Sequence, residues 1–388
     1  MRKKVCVISG SRADYGLLKT LLRLLKKDKD IRLQLAVTGS HLSPRFGSTY
    51  KEIKKDGFAI DAKIDISLTS DSPRGIARST GIAMAKFSAI YATLRPDIIV
   101  VLGDRFEIFG AAAAACISRI PIAHISGGEI TEGSIDDVFR HCITKMSCLH
   151  FTALDVYRRR VIQLGESPDT VFNVGEIGLD DIRSTRFLSK KDLEAKLKFR
   201  FNKHNLLVTF HPATAGAGVP QQEFANLLRV LEERKNTAVI FTKANADAGG
   251  GVINTMIDTY VRTHKKDATV FASLGRTVYL SAMRCVDAVV GNSSSGLVEA
   301  PSLRTGTINI GDRQAGRVRA KSVIDCEPTL DSIRKSFKIL YSKAYQDMLR
   351  RVKNPYEGNR SSEKALKVIK SCEPAMTRSK RFHDIGNA

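Results

Sequence analysis

Short apolar runs alternate along this chain with stretches of helical periodicity. The runs at 5–9, 33–37, 98–103 and 121–125 are rich in Val, Ile and Leu, the composition of strands buried on both faces of a parallel sheet. Helical patterning between them makes the first half a βαβ succession. A second series, at 206–210, 238–242, 269–272, 288–291 and 307–310, repeats the arrangement, most runs meeting Gly, Asn, Ser or Asp before the next helical stretch. The pattern predicts an α/β protein with two Rossmann-like, doubly wound domains. Between 187 and 199 the polarity rises without a strand signal, so the domains are expected at 1–186 and 187–355. The tail, 356–388, carries an amphipathic stretch with Ala365, Leu366, Val368 and Ile369, expected to pack back on the first domain.

Length agrees with this division, because 388 residues exceed one ordinary core and suit two of roughly 150–200 residues. No apolar run approaches the roughly 20 residues of a membrane span. The basic start Met1-Arg2-Lys3-Lys4-Val5 leads into only a few apolar residues and then Gly10-Ser11-Arg12, not a cleavage site, so the expected location is cytoplasmic. The seven cysteines are odd in number, scattered and free of any CxxC pair, which predicts reduced core thiols, neither a disulfide frame nor a zinc site. A formal charge of +22 would attract polyanions by long-range steering, but it is spread over many short runs without interleaved aromatics. Neither a nucleic-acid groove nor a membrane surface is expected.

In doubly wound sheets ligands sit beyond the carboxyl ends of the strands, which directs attention to the residues just after each apolar run. After the first comes Gly10-Ser11-Arg12-Ala13-Asp14-Tyr15-Gly16, a turn into a helix with Arg12 at its mouth and Asp14 close by, suited to a phosphate. It lacks GxGxxG, and an ordinary βα turn would look similar. After 98–102 stands Gly103-Asp104-Arg105-Phe106-Glu107, which joins a carboxylate that can move a proton to a guanidinium that can hold an anion. Asp104 could instead cap the following helix and pair with Arg105. His124-Ile125-Ser126-Gly127-Gly128-Glu129, Asp136-Asp137 and Arg140-His141 then crowd imidazoles and carboxylates into one loop and helix start. There Asp136 and Arg140 share a face at i, i+4. His124 alone could be a satisfied structural histidine.

In the second half His211-Pro212 ends a strand, and Asn245 and Asp247 follow another. The strongest signal is Gly291-Asn292-Ser293-Ser294-Ser295-Gly296-Leu297-Val298-Glu299, with Gly311-Asp312-Arg313 after the next strand. Backbone N–H groups and serine hydroxyls at that helix start would hold a diphosphate, and Glu299 would accept from ribose hydroxyls. A serine-rich turn that merely caps its helix is the other reading.

Taken in order, these motifs resemble those of the hydrolysing UDP-N-acetylglucosamine 2-epimerases, the bacterial sialic and polysialic acid branch in particular. The likeness runs over nearly the whole chain and includes Ile143-Thr144-Lys145, Val161-Ile162-Gln163-Leu164-Gly165-Glu166 and Gly311-Asp312-Arg313-Gln314. It implies a GT-B-like architecture with the active site in the interdomain cleft, UDP held mainly by the second domain and the sugar facing the first. It also implies a homo-oligomer, dimer or tetramer, and no nicotinamide, metal or other cofactor. Carried over by position, it makes Arg12, His211, Asn245, Asp247, Ser293, Ser294, Glu299 and Arg313 contacts of UDP. Asp104 and Asp136 become the proton-transfer carboxylates, with Arg105 and Arg140 nearby. The implied reaction eliminates UDP across C1–C2 to a 2-acetamidoglucal, which water converts to the free 2-epimer.

Two positions depart from the family. Many relatives carry glutamate at the position of Ser126 and histidine at that of Cys148, so part of the missing carboxylate's role is expected of Glu129 or His124. The expected substrate is UDP-N-acetylglucosamine, giving N-acetylmannosamine. The alternative is UDP-2,4-diacetamido-2,4,6-trideoxyglucose, on the legionaminic acid route. A GT-B glycosyltransferase, and then a nucleotide-sugar-binding or RNA-binding protein without turnover, rank behind.

Overall fold

The computed structural model describes residues 2–213, 218–244, 249–372 and 380–386. Two parallel sheets organise it. The first has seven strands in the order β3-β2-β1-β4-β5-β6-β7. These are β1 (Lys3–Ser9), β2 (Ile31–Thr38), β3 (Ala62–Ile64), β4 (Ile98–Leu102), β5 (Ile122–Ile125), β6 (Leu149–Thr152) and β7 (Val171–Asn173). The second has six, in the order β10-β9-β8-β11-β12-β13. They are β8 (His204–Thr209), β9 (Thr237–Thr242), β10 (Ala268–Phe271), β11 (Ala288–Gly291), β12 (Gly306–Ile310) and β13 (Val323–Cys326).

The apolar runs are continuous because helices cover both faces of each sheet. Val5 and Val7 of β1 pack with Leu18, Leu21 and Leu22 of the helix Arg12–Lys27, while Cys6 and Ile8 between them face Phe87, Ile108 and Ala111 on the other side. The second sheet repeats the device: Leu206 and Val208 enter one core and Leu207 the other. Strand order reverses between β1 and β4 and again between β8 and β11, so each sheet has a switch point where the loops beyond the carboxyl ends diverge.

The chain divides into two compact units. One comprises Met1–Glu129, Asp136–Arg183 and Tyr356–Ala388; the other comprises Ile130–Ile135 and Ser184–Pro355. Within the first unit the helix Ser361–Ser371 lays Ala365 and Ile369 into the same core as Val5 and Leu18. Lys3 Nζ donates to the carbonyls of Ile369, Lys370 and Cys372 at that helix's end, where a cation offsets the helix dipole.

The cysteine expectation needs correcting. All seven are free, but only Cys6, Cys148 and Cys372 are buried, while Cys116 and Cys142 are exposed. Those two sit on the outer faces of the helices Phe106–Ile117 and Asp136–Met146, where apolar sequence neighbours say nothing about direction. Among the described residues no helix is long and apolar enough to cross a membrane.

Candidate active site

At the end of β1 the chain turns sharply into the helix Arg12–Lys27, and the turn is built from its own side chains. Ser11 caps the helix, and Asp14 completes a capping box. Asp14 Oδ2 accepts from the backbone N–H groups of Gly10 at 3.1 Å and Ser11 at 2.9 Å, and Oδ1 accepts from Ser11 Oγ at 2.8 Å. Burial raises its carboxyl to about 6, against the opposing pull of Arg105 and with a further push from Glu107. The sequence had grouped Asp14 with Arg12 as a ligand contact. Its oxygens are engaged within the turn, where Arg12 is half-buried at the first helical position.

Beyond β4, Asp104 neither caps the next helix nor pairs with its neighbour. The capping position falls on Arg105, whose Nε donates to Glu107 Oε1 at 2.7 Å. Glu107 is wholly buried against the turns after β1 and β2. A Cβ on Gly10 would lie 2.5 Å from Glu107 Oε1, so glycine there is a requirement of close approach. Asp104 pairs with Arg140, a side chain only 2% exposed. Arg140 Nη1 also donates to the Glu129 carbonyl at 2.9 Å and to Asp137 Oδ1 at 3.2 Å. One buried guanidinium thus fixes Asp104, the start of the helix Asp136–Met146 and the end of the Gly127-Gly128-Glu129 loop. Asp136 is half-buried at the first position of that helix, and Glu129 is buried.

His124 is fully buried in β5. Its Nε2 lies 2.8 Å from the Gly103 carbonyl and its Nδ1 3.1 Å from Thr144 Oγ1. Burial lowers the imidazole to about 3, so the ring is neutral. The carbonyl can only accept, so Nε2 carries the proton and Nδ1 accepts from the threonine. Both nitrogens are engaged, and His124 braces the residue before Asp104. Ser126 follows in the left-handed region, at φ 64°.

The second sheet brings together the ends of β8, β11 and β12. Gly291 has φ 128°, and a Cβ there would lie 2.0 Å from the Thr209 carbonyl, so β8 and β11 can close only on glycine. Asn292 Oδ1 then accepts from the His211 N–H at 2.7 Å and its Nδ2 donates to the His211 carbonyl at 2.7 Å. Its own carbonyl accepts from Arg313 Nη1 at 3.2 Å and Gln314 Nε2 at 2.9 Å. His211, Asn292 and Arg313 are thereby locked at one strand-end cluster. Ser293 caps the helix Ser294–Val298, which is only five residues long and passes into a 3-10 turn at Ala300–Leu303. Glu299, buried at the junction, forms an ion pair with Arg276. Asn245 and Asp247 lie outside the described residues.

Sequence reasoning missed Glu107, Asp137 and Arg276 as members of these clusters. Glu107 and Asp137 stood inside motifs already noted. Arg276 is the second residue of the helix Gly275–Cys285, just beyond β10, where the strand-end rule would have reached it. Among the described residues no three His, Cys, Asp or Glu side chains gather as metal ligands would.

A family described as UDP-N-acetylglucosamine 2-epimerase matches residues 23–370 of the chain. The chain is 43% identical over 345 residues to the GDP/UDP-N,N'-diacetylbacillosamine 2-epimerase (hydrolyzing) of Campylobacter jejuni, covering 89% of each protein. It is 37% identical over 385 residues to the polysialic acid biosynthesis protein P7 of Escherichia coli, covering 99% of this chain and 98% of the relative. Among solved structures, UDP-GlcNAc 2-epimerase from Neisseria meningitidis, bound to UDP-GlcNAc, matches with a TM-score of 0.81 at 15% identity, over 95% of this chain and 100% of that one. That likeness shows a shared fold, so the α/β class expected from the strand pattern and the GT-B-like architecture implied by the resemblance are the ones observed.

Proposed function

The chain belongs to the UDP-N-acetylglucosamine 2-epimerase family and is a UDP-sugar 2-epimerase of the hydrolysing kind, and we propose that Asp104 and Asp136 make its proton transfers. One carboxylate removes the C2 proton as the C1–O bond breaks, and the bonding pair leaves with UDP, so that a 2-acetamidoglucal remains. Water then adds, its hydroxyl to C1 and a proton to the opposite face of C2, and the free sugar has the manno configuration. The observation that carries this reading is the anchoring of Asp104 beside a switch point by a buried guanidinium, with His124 bracing Gly103 behind it. A carboxylate fixed in this way loses little entropy when it meets a C–H bond. Glu129 is the group proposed for the share of the glutamate that Ser126 replaces.

In this reading His211, Ser293, Ser294 and Arg313 meet the diphosphate, and Glu299 accepts from the ribose. Arg12, Asn245 and Asp247 are proposed as further contacts of UDP. The strand-end cluster around Asn292 supports the assignment because it presents a histidine, an arginine and a serine-capped helix start together. The decisive experiment is proton NMR of the enzyme with UDP-sugar in deuterated water. Deuterium at C2 of a released manno sugar is expected; unchanged substrate, turned over only when an acceptor is added, would mean a transferase.

For the sugar, the first reading is UDP-linked N,N'-diacetylbacillosamine, the 2,4-diacetamido-2,4,6-trideoxy compound. Two observations favour it over the UDP-N-acetylglucosamine expected from the sequence: the 43% identity to the enzyme named for that sugar, and Ser126, which gives room and removes a charged acceptor. UDP-N-acetylglucosamine stays as a second substrate, favoured by the likeness to the polysialic acid protein. A homo-oligomer belongs to the same proposal, and light scattering on the purified enzyme reads it.

A further inference from the structure

Arg276 stands beside Glu299, the proposed ribose contact, and is outside the set of proposed UDP contacts. It is the second residue of the helix Gly275–Cys285, and its Nη1 meets Glu299 Oε1, with the two side chains only 12% and 7% exposed. One turn further along the same helix, the Tyr279 hydroxyl meets Ser295 Oγ at 2.6 Å, and Ser295 Oγ lies 3.1 Å from Ser293 Oγ. A single helix face therefore grips both ends of the turn 293–299. Glu299 sits just after a helix of five residues, a support too short to fix a long carboxylate by itself. With Oε1 held by the guanidinium, Oε2 makes no hydrogen bond to any described residue.

We propose that Arg276 is a positioning residue for nucleotide recognition. It holds the Glu299 carboxylate in one orientation, so that Oε2 accepts from the ribose diol of the bound nucleoside diphosphate. The inference rests on the reading that Glu299 meets the ribose. Arg276 then governs discrimination between a ribonucleotide and its deoxy analogue without taking part in bond breaking. A flexible glutamate would pay an ordering cost on binding, whereas a clamped one has that cost removed in advance.

The test is calorimetric titration of the intact enzyme with UDP and with 2',3'-dideoxy-UDP, in wild type, Glu299→Gln, Arg276→Gln and Arg276→Lys. Because the ratio of the two affinities is the readout, a partly unfolded preparation does not distort it. Wild type should prefer UDP by at least about tenfold, the scale of a charge-assisted hydrogen bond. Glu299→Gln should abolish the preference and Arg276→Gln should remove most of it. Arg276→Lys, which keeps the charge, should restore part. In turnover, Arg276→Gln should raise KM by about tenfold and leave kcat within about threefold, as loss of uniform binding does. If Glu299→Gln keeps the wild-type preference, the ribose reading itself is wrong. If Glu299→Gln loses the preference and Arg276→Gln keeps it, the ribose reading stands and the role of Arg276 is refuted.

Discussion

Arg140 holds Asp104 from 36 residues further along the chain, and it does so from a buried position while Asp104 keeps 20% of its side chain open. The cation is structural and the carboxylate is available. Such an arrangement orients the carboxylate without covering it.

Asp104→Asn should lower turnover by at least roughly a hundredfold, the scale of a lost general acid or base, while UDP affinity stays within about twofold. Steady-state kinetics alongside calorimetry checks both halves. Activity within a few-fold of wild type would remove Asp104 from the chemistry.

Glu107 should matter although it lies behind the site. Glu107→Gln takes away the charge that aims Arg105 and should reduce kcat about ten- to a hundredfold with UDP binding intact, as small misplacements at a reacting centre do. Gly10→Ala pushes a methyl group into the same carboxylate and should cost about 1–3 kcal/mol of stability. A Gly10→Ala enzyme as stable as wild type in thermal unfolding would show that the contact yields easily.

The Asp14 carboxyl gives a pH signature. Its folded-state value is raised to about 6 from 3.8, so the stabilisation is fully present below about pH 4 and is lost as pH rises through 6. Asp14→Asn keeps an acceptor for the turn and does not ionise. Relative to wild type, it should therefore gain roughly 2–3 kcal/mol between pH 4 and pH 7, an order-of-magnitude figure from the linkage. Parallel unfolding curves at several pH values measure the difference; a difference that does not change with pH sinks the idea.

Ser126 should tune the choice of sugar. Wild type is expected to turn over both UDP-sugars, with kcat/KM higher for the diacetamido compound, and Ser126→Glu should move the ratio toward UDP-N-acetylglucosamine. Position 126 is left-handed, so a glutamate there carries about 1–2 kcal/mol of backbone strain, and the ratio of the two substrates is the quantity to read, not either rate alone. A ratio unchanged by the substitution would mean that residue 126 does not face the sugar.

The strands that could be read from sequence are those whose apolar runs fill both faces of a sheet. β1, β4, β8 and β11 sit centrally and each holds an unbroken buried apolar run, at 5–8, 98–102, 206–208 and 288–290. β3, β7 and β13 lie at sheet edges, three or four residues long, with Lys63, Asn173 and Asp325 among them. An edge strand pairs on one side only, and its short, mixed sequence looks like a loop. β6 was missed because His150 and Thr152 interrupt it; burial beside Glu166, 2.9 Å from His150, explains the imidazole. At the site, residue types and strand ends were legible, whereas partners were not. Asp104 has Arg105 beside it in sequence, but Arg140 reaches it through the fold, and Arg105 turns to Glu107. Side-chain direction at a strand end depends on neighbours brought in from distant segments, and sequence adjacency carries no information about them.

The apolar face of the helix Arg12–Lys27 closes only when Ala365 and Ile369 arrive against Leu18 and Leu21. During synthesis that face must wait for some 350 further residues, roughly 20–70 s at ribosomal speed. Most of the second unit, contiguous from Ser184 to Pro355, emerges complete before then. The part translated first is thus the part finished last. A nascent chain of this protein should engage holdase chaperones through its earliest helix and release them only after the helix Ser361–Ser371 has left the ribosome.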